Sequence, residues 1–384
     1  MKGKKSVKVN KEPKEKRRWL KRLLSVLLVI AVLAAVGYIV LDSMTDEGQT
    51  VIDLVHDAME SEVVKTDKFA FDAYSDNVFD ELNGGLIAVS ASAYQVLDNT
   101  GEIVGRGTKA FVNPAMSSGE GGAVIWSQGG NDIMLLAPNG ATKIIDSENT
   151  VIAASVNDSG YVAVTTEQSG YKGLVTVYDG SGDAVYKWFS GSAYLLDAAV
   201  NKSNTAMTAL SVSDKGSRVV SYLFGSEEEQ GAYSEDTIFF DMDYISENRI
   251  CLVADNKAVF VNGKCEYNSE YSFDGWYLKD YSLEGNGFAV FVLSKYKTSG
   301  EIMLVSVDAG GDVLGSVTTM NDVNAISVRG RYIAVTYADS AVLYSSDFTE
   351  VGVVENAAGT EKALASADGK LIAVSANGAV EYDF

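Results

Sequence analysis

The chain has 384 residues, of which 47% are hydrophobic and 22% charged, and its formal net charge is −21. This composition is that of a soluble globular protein, and the length suffices for one large domain or two ordinary ones. Thirty-six glycines and twenty tyrosines, with only three prolines, favour many short strands joined by tight turns.

The charge is divided between a basic N-terminus and an acidic body. Residues 1–22 contain eleven Lys or Arg and two Glu, a net charge of +9, which leaves −30 for residues 23–384. Because phosphate contacts dominate nucleic-acid binding, so acidic a body excludes a nucleic-acid partner. We interpret residues 1–22 as a cytoplasmic tail that orients the chain and contacts anionic lipid.

Residues 23–41, LLSVLLVIAVLAAVGYIVL, contain no charged side chain. As a helix they would measure about 28 Å, close to the thickness of the hydrocarbon core of a bilayer. The positive-inside rule places the basic tail in the cytoplasm and the following residues outside it. A cleaved signal peptide is the alternative, but its apolar region is usually shorter, and no clear cleavage site follows Leu41. We therefore predict one uncleaved transmembrane helix.

Residues 42–65 are predicted to form a helical stalk or linker. Ile52, Val55 and Met59 stand near helical spacing among acidic residues. The only histidine of the chain, His56, also lies here and is interpreted as a surface residue.

A three-residue apolar step after a turn recurs about every 41 residues through the rest of the chain. The hexapeptide LIAVSA occurs twice, at Leu86–Ala91 and again at Leu371–Ala376. The eight steps are residues 87–89, 122–124, 162–164, 207–209, 250–252, 288–290, 333–335 and 372–374.

Each repeating unit contains four short predicted strands, the plan of a β-propeller blade. We therefore predict an all-β fold, a propeller of about eight four-stranded blades in which the apolar step is a second strand buried on both faces. Seven blades are possible, because residues 193–273 are the least regular. A sandwich would not need the repeat, and a solenoid with coils of about 41 residues would be unusually long.

The propeller is predicted to span residues 66–384 and to close by pairing its two ends. The last unit, residues 361–384, contains only three predicted strands, and residues 67–75, DKFAFDAYS, alternate like a strand. Pairing of 67–75 with 378–384 would complete the last blade and remove an open edge. The two LIAVSA copies would then lie in adjacent blades.

The segment SADGKLIAV, Ser366–Val374, resembles the repeat of WD-like and TolB-type propellers. The order of basic tail, anchor and acidic propeller also resembles uncharacterised single-pass, membrane-anchored propeller proteins of Gram-positive bacteria. These resemblances imply a fold and a location but no activity.

The sequence contains no catalytic motif and no cofactor motif. A Ser-His-Asp triad needs a histidine in the folded body, and no G-x-S-x-G, P-loop or H-E-x-x-H is present. With four Trp and no repeated docking motif, a quinone cofactor is not expected, and the sialidase repeat S-x-D-x-G-x-x-W does not occur. We therefore predict that the protein is not an enzyme and that it binds neither a cofactor nor a metal ion.

Three further patterns in the sequence are weaker. The S-x-x-K matches, Ser169–Lys172 and Ser294–Lys297, fall at predicted turns and are interpreted as chance. Asp241 and Asp243 could bind Ca²⁺, but an exposed acidic turn is favoured because the rest of a calcium loop is missing. Cys251 and Cys265 are separated by one predicted strand, too far apart for a disulfide, so two thiols are expected.

Aromatic side chains are dense in residues 267–296. One interpretation is packing in the largest blade, and the other is a surface that binds a glycan or a partner protein. The candidate surface consists of Tyr271, Phe273, Trp276, Tyr277 and Tyr281.

These features favour a membrane-anchored, extracytoplasmic propeller that serves as a non-enzymatic interaction platform for an envelope protein or a cell-wall polymer. The alternative is an enzyme or small-ligand sensor that uses carboxylates in the central channel, with or without a divalent metal.

Overall fold

A computed structural model describes residues 63–72, 77–298, 300–376 and 378–384. The predicted tail (1–22), transmembrane helix (23–41) and most of the stalk (42–65) lie outside these residues. The part of the chain that the structure describes contains no helix long and apolar enough to cross a membrane.

The described residues form 32 strands in eight four-stranded sheets, which confirms the propeller of eight blades. The first strand in the chain, β1, is Val64–Phe69. Blades 1 to 4 comprise β2 Val78–Leu82, β3 Gly85–Val89, β4 Tyr94–Leu97 and β5 Ile103–Gly107; β6 Pro114–Gly119, β7 Gly122–Ser127, β8 Asp132–Leu136 and β9 Thr142–Asp146; β10 Val151–Val156, β11 Val162–Thr166, β12 Gly173–Tyr178 and β13 Ala184–Ser190; β14 Tyr194–Val200, β15 Ala206–Ser213, β16 Gly216–Leu223 and β17 Glu229–Glu235.

The second half of the ring repeats this order. Blades 5 to 8 comprise β18 Asp241–Ser246, β19 Arg249–Val253, β20 Lys257–Asn262 and β21 Tyr267–Ser272; β22 Tyr277–Ser282, β23 Phe288–Ser294, β24 Ile302–Asp308 and β25 Val313–Thr319; β26 Ala325–Arg329, β27 Tyr332–Thr336, β28 Ala341–Ser345 and β29 Glu350–Val354; β30 Thr360–Ala365, β31 Leu371–Ser375 and β32 Gly378–Asp383, with β1 as the fourth strand of blade 8.

All eight apolar steps lie in the second strands of the blades, as predicted. In β19, Ile250 and Leu252 face blade 4, whereas Cys251 and Val253 face blade 6. This alternation explains why the second strands have no polar face. Each of the eight hydrophobic clusters of buried residues joins two neighbouring blades.

The ring closes where β1 pairs antiparallel with β32, from Val64 opposite Asp383 to Phe69 opposite Ala379. The paired strand begins earlier than the predicted segment 67–75, so Val64 and Lys65 belong to a strand and not to the stalk. The two LIAVSA copies lie in β3 and β31 of adjacent blades and contribute to one hydrophobic cluster.

One turn connects the third and fourth strands in six blades. Its fourth residue donates its N–H to the carbonyl of the first and has a positive φ. Glycine occupies this position in four blades, because it adopts a positive φ without steric cost. Cys265 and Phe348 occupy it in blades 5 and 7, with φ values of 57° and 59°, and both side chains are buried between blades.

Candidate functional site: the central channel

The first strand of each blade lines the central channel, because these strands contact one another around the ring. Each begins at one end of the ring, which we call the upper face, and ends at the lower face. Loops from the fourth strand of one blade to the first strand of the next, and turns between second and third strands, lie on the upper face.

Asp241 and Asp243 lie in β18 and not in the exposed turn favoured from the sequence. Met242 and Tyr244 alternate with them and are buried against blade 4, which turns both carboxylates toward the channel. The exposed turn is therefore wrong, because the D-x-D pattern belongs to a half-buried strand in which alternate side chains face the channel.

The upper part of the channel is an acidic cavity of about 530 Å³, which we call the upper cavity. Its wall includes five carboxyl groups and contains no Lys or Arg. These groups belong to Asp197, Asp241, Asp243, Asp280 and Glu284. Phe240 and Tyr281 also line it, with their ring centroids 5.8 Å apart.

Burial favours the protonated forms of four of these carboxyl groups and so raises the pKa values of Asp197, Asp243, Asp280 and Glu284. Asp197 is 7% exposed, and burial, followed by the charge of Asp241, raises its pKa well above the usual range. Burial raises the pKa of Asp243 to about 7. The pKa of Glu284 is also raised, mainly by desolvation of its carboxyl group within the channel, although 35% of its side chain remains accessible to solvent. The Tyr281 hydroxyl donates a hydrogen bond of 2.6 Å to Asp241 Oδ2.

Arg329, at the end of β26, extends across the lower part of the channel and is only 8% exposed. Its Nη1 donates to the Ser118 carbonyl at 3.1 Å, and its Nη2 donates to the Glu81 carbonyl at 3.1 Å and also to Ser118 Oγ. The guanidinium thus connects blade 7 to blades 1 and 2.

Three carboxylates surround this guanidinium. Arg329 Nε lies 2.9 Å from Glu81 Oε2, while Nη2 lies 3.4 Å from Asp80 Oδ1 and 4.0 Å from Glu284 Oε2. Burial raises the pKa of Glu81 despite the nearby positive charge. In this lower cluster, one guanidinium group therefore faces three carboxyl groups.

The five aromatic residues predicted to form one surface do not form one, because Tyr271, Trp276 and Tyr281 pack against the hydrophobic cluster that contains Phe273. Phe273 is 1% exposed and packs with Tyr271 on Phe291, so Phe273 belongs to the core. Trp276 lies under Lys295 Nζ at 4.7 Å, and Tyr277 is exposed on the upper face. Tyr281 faces the channel. The prediction was wrong because a high local number of aromatic residues does not show which of them lie on the buried face of a strand and which on the exposed face.

Side chains of the two S-x-x-K matches have other partners in the structure. Ser169 and Lys172 are exposed, and Lys172 Nζ donates to the Tyr194 hydroxyl at 2.9 Å. Ser294 Oγ donates to the Tyr296 carbonyl at 2.7 Å. Cys251 and Cys265 are free and buried, as expected, and burial raises both thiol pKa values, that of Cys265 to about 12.

Within the described residues, no group of three or more His, Cys, Asp or Glu is arranged to hold a metal ion. The channel residues that the sequence did not reveal include Asp197, Asp280 and Arg329. Each lies in a different blade, so no local pattern in the sequence connects them.

The eight-bladed ring with its lined channel is that of a WD40-like β-propeller. Residues 56–378 match a family of unknown function, DUF5711, so the chain belongs to that family. None of the curated proteins matches the sequence.

Solved structures share the fold at low sequence identity. BamB from Moraxella catarrhalis has a TM-score of 0.51 and 15% identity, over 84% of this chain and 100% of that one. The C-terminal WD40 domain of Sif2 has a TM-score of 0.54 and 11% identity, over 83% and 98%. The dihydro-heme d1 dehydrogenase NirN has a TM-score of 0.50 and 12% identity, over 74% and 67%. Because one of these proteins is an enzyme, the fold alone does not decide between binding and catalysis.

Proposed function

We propose that this chain is a non-enzymatic interaction platform, anchored in the cell membrane by residues 23–41, with its propeller outside the cytoplasm. The exposed side chains of the upper face carry the proposal. Large apolar residues on this face are exposed to solvent, namely Val112, Tyr171, Phe189, Tyr194, Ile238, Phe240, Tyr277, Tyr296 and Met320.

Several of these residues contact one another or a neighbouring cation. Tyr171 and Phe189 have ring centroids 4.9 Å apart, and Lys172 Nζ lies 4.3 Å from the centroid of Tyr194. Aromatic side chains with a polar group are enriched at protein interfaces, where they provide contact area at a low entropic cost. We infer an envelope protein as the partner; a cell-wall polymer is the second possibility that the aromatic residues support.

Photo-crosslinking in cells tests this proposal. A photoreactive amino acid replaces Tyr194 or Tyr277 on the upper face of the full-length chain, and Leu223 on the lower face serves as the control, since it is also exposed. We expect adducts with an envelope component from the upper positions. Adducts from neither face would overturn the proposal.

The second candidate is an enzyme or small-ligand sensor that uses the channel carboxyl groups. It is favoured by the raised pKa values of Asp197 and Asp243, since such shifts are common at functional sites. Screening a metabolite set by thermal shift against wild type and Asp243→Asn would test it, because a channel ligand should stabilise only the wild type.

A further inference from the structure

The outer edge of blade 6 differs from the outer edges of the other seven blades. Its fourth strand, β25, has the sequence VLGSVTT and contains no charged side chain. Each of the other seven outer strands contains at least one Lys, Arg, Asp or Glu. Charged side chains are a common means by which natural proteins prevent an edge strand from pairing with another chain, and β25 lacks this protection.

The backbone of β25 is available for such pairing. β25 is the last strand of its sheet, so only β24 pairs with it. Outside this ladder, the described residues give the backbone of β25 one hydrogen bond, from Ser306 Oγ to the Gly315 carbonyl at 3.3 Å. The groups on the other side of the strand therefore form a row of N–H donors and C=O acceptors at strand spacing, which another extended backbone can match.

Apolar side chains are exposed at both ends of β25. Val313 and Leu314 at the lower end are 51% and 43% exposed. Met320, directly after the strand, is 75% exposed, more than any other large apolar side chain of the described residues. Between these ends, Ser316 and Thr318 are exposed, short and uncharged. A segment beside β25 would therefore bury apolar side chains at both ends and meet no charge between them.

Met320 connects this edge to the upper face, where it is one of the exposed apolar side chains. β25 is a fourth strand and runs from the lower face to the upper face, so Met320 stands at its upper end. A partner that contacts the upper face can therefore continue along the outer edge of blade 6.

A second copy of this chain fits the edge less well than a foreign segment. A symmetric dimer would pair β25 with its copy in the antiparallel direction, which turns one propeller over relative to the other. β1 begins with Val64 at the lower face, so the two copies of β1 would begin at opposite faces. If residues 23–41 anchor the chain, as proposed above, this arrangement disfavours pairing of two copies in one membrane.

We propose that β25 binds an extended segment of a partner protein, which adds to blade 6 as a fifth strand beside Gly315–Thr319. The segment is uncharged where it pairs and carries apolar side chains that contact Leu314 and Met320. This inference rests on the proposed platform function and adds the mode of recognition, which is backbone pairing at the edge of one blade.

Peptide selection tests the inference. The full-length chain in detergent selects from a displayed library of random peptides of about 12 residues, and fluorescence anisotropy measures the affinity of the enriched peptides. We expect uncharged runs without proline that are rich in Val, Ile, Thr and aromatic residues, because these residues favour an extended backbone. When the peptide is bound, hydrogen exchange should slow at the β25 amides that face away from β24, since the new strand protects them.

Two matched serines separate the edge of blade 6 from outer strands in general. Ser316 in β25 and Ser234 in β17 are both exposed residues of a fourth strand. Ser316→Lys places a charge on the binding edge and should weaken peptide binding at least about tenfold, whereas Ser234→Lys should change it less than about twofold. Both variants should keep the melting temperature of the wild type, because neither side chain is buried.

The outcomes are distinct from those of the platform test. No enrichment, equal affinity for wild type and Ser316→Lys, or unchanged hydrogen exchange in β25 with peptide bound would overturn the inference. A dimer in analytical ultracentrifugation that Ser316→Lys dissociates would also overturn it, because a second copy would then occupy the edge. Crosslinks from Tyr194 or Tyr277 in cells would still support a platform in each of these cases.

Discussion

The Asp243 carboxyl group makes the stability of the protein depend on pH. Its pKa is about 7 in the folded protein, whereas an unfolded Asp titrates near 3.9. Between these values the folded state binds a proton that the unfolded state has lost, so the contribution of Asp243 to the free energy of unfolding falls as pH rises from about 4 to about 7. Above about pH 7 the Asp243 carboxylate is ionised while it is desolvated and close to Asp241, which lowers the free energy of unfolding.

We therefore expect Asp243→Asn to stabilise the protein by about 1–3 kcal/mol at pH 8 and to have little effect at pH 4. Urea unfolding at several pH values measures the difference. Asp214→Asn, in an exposed turn, is the control for removal of one charge. If the free energy of unfolding depended on pH in the same way for wild type and Asp243→Asn, Asp243 would not have a raised pKa in the folded protein.

Arg329 is the second residue whose burial has a predictable cost. Its replacement by Met would leave Asp80 and Glu81, both buried, without their cation. Breaking a buried ion pair from one side typically costs about 3–5 kcal/mol, because the remaining charge is desolvated and uncompensated.

We expect Arg329→Met to lose that amount in urea unfolding at pH 7, and Arg329→Met/Glu81→Gln to recover part of it. Arg331→Met, two residues away but exposed, should change stability by less than about 1 kcal/mol. Equal losses for the two Arg variants would mean that the ion pairs of Arg329 contribute nothing.

At the scale of elements, the second strands could be recognised from their recurring pattern, whereas the side chains that the first strands direct into the channel could not. An apolar step that is buried on both faces leaves a continuous signal, which recurs in every blade. First strands have one face in the channel, so their polar residues differ from blade to blade. Asp197, Asp241 and Tyr281 form one cavity, yet each of them is about 40 residues from the next.

Glycines in the fourth strands determine how closely neighbouring blades approach. A Cβ added at Gly315 in β25 would lie 1.9 Å from the Asp347 carbonyl, in a turn of the next blade, and one at Gly231 in β17 would lie 1.9 Å from the Lys264 carbonyl. Both contacts are with backbone, so no side-chain rotation relieves them.

Gly315→Ala should therefore separate blades 6 and 7 and destabilise the protein by about 1–3 kcal/mol. Gly191→Ala is the control, because a Cβ there meets no atom within 4 Å and φ is not positive. Thermal unfolding of the two variants measures the effect, and an unchanged melting temperature for Gly315→Ala would show that the blades move apart without cost.

For the whole molecule, each blade depends on its neighbours, because every hydrophobic cluster of the ring joins two blades. Blade 8 and the cluster it shares with blade 1 also require β1, the strand nearest to the predicted membrane segment in sequence. The repeat in the sequence revealed the ring and the approximate position of its closure. It did not reveal the register of β1, since a segment of alternating residues can pair one step earlier or later without a change in pattern.

The orientation of the full-length chain in the membrane can be tested by labelling introduced cysteines, with the wild type as the negative control. Cys251 and Cys265 are buried, so the wild type should react little with a membrane-impermeant maleimide. A Tyr296→Cys variant places a thiol at a position that is 62% exposed on the upper face. If the propeller lies outside the cytoplasm, intact cells should label this variant, whereas Ser6→Cys in the basic tail should be labelled only after lysis. If Ser6→Cys were labelled in intact cells and Tyr296→Cys only after lysis, the orientation would be the reverse of the proposed one. If neither were labelled before lysis, both positions would lie in the cytoplasm.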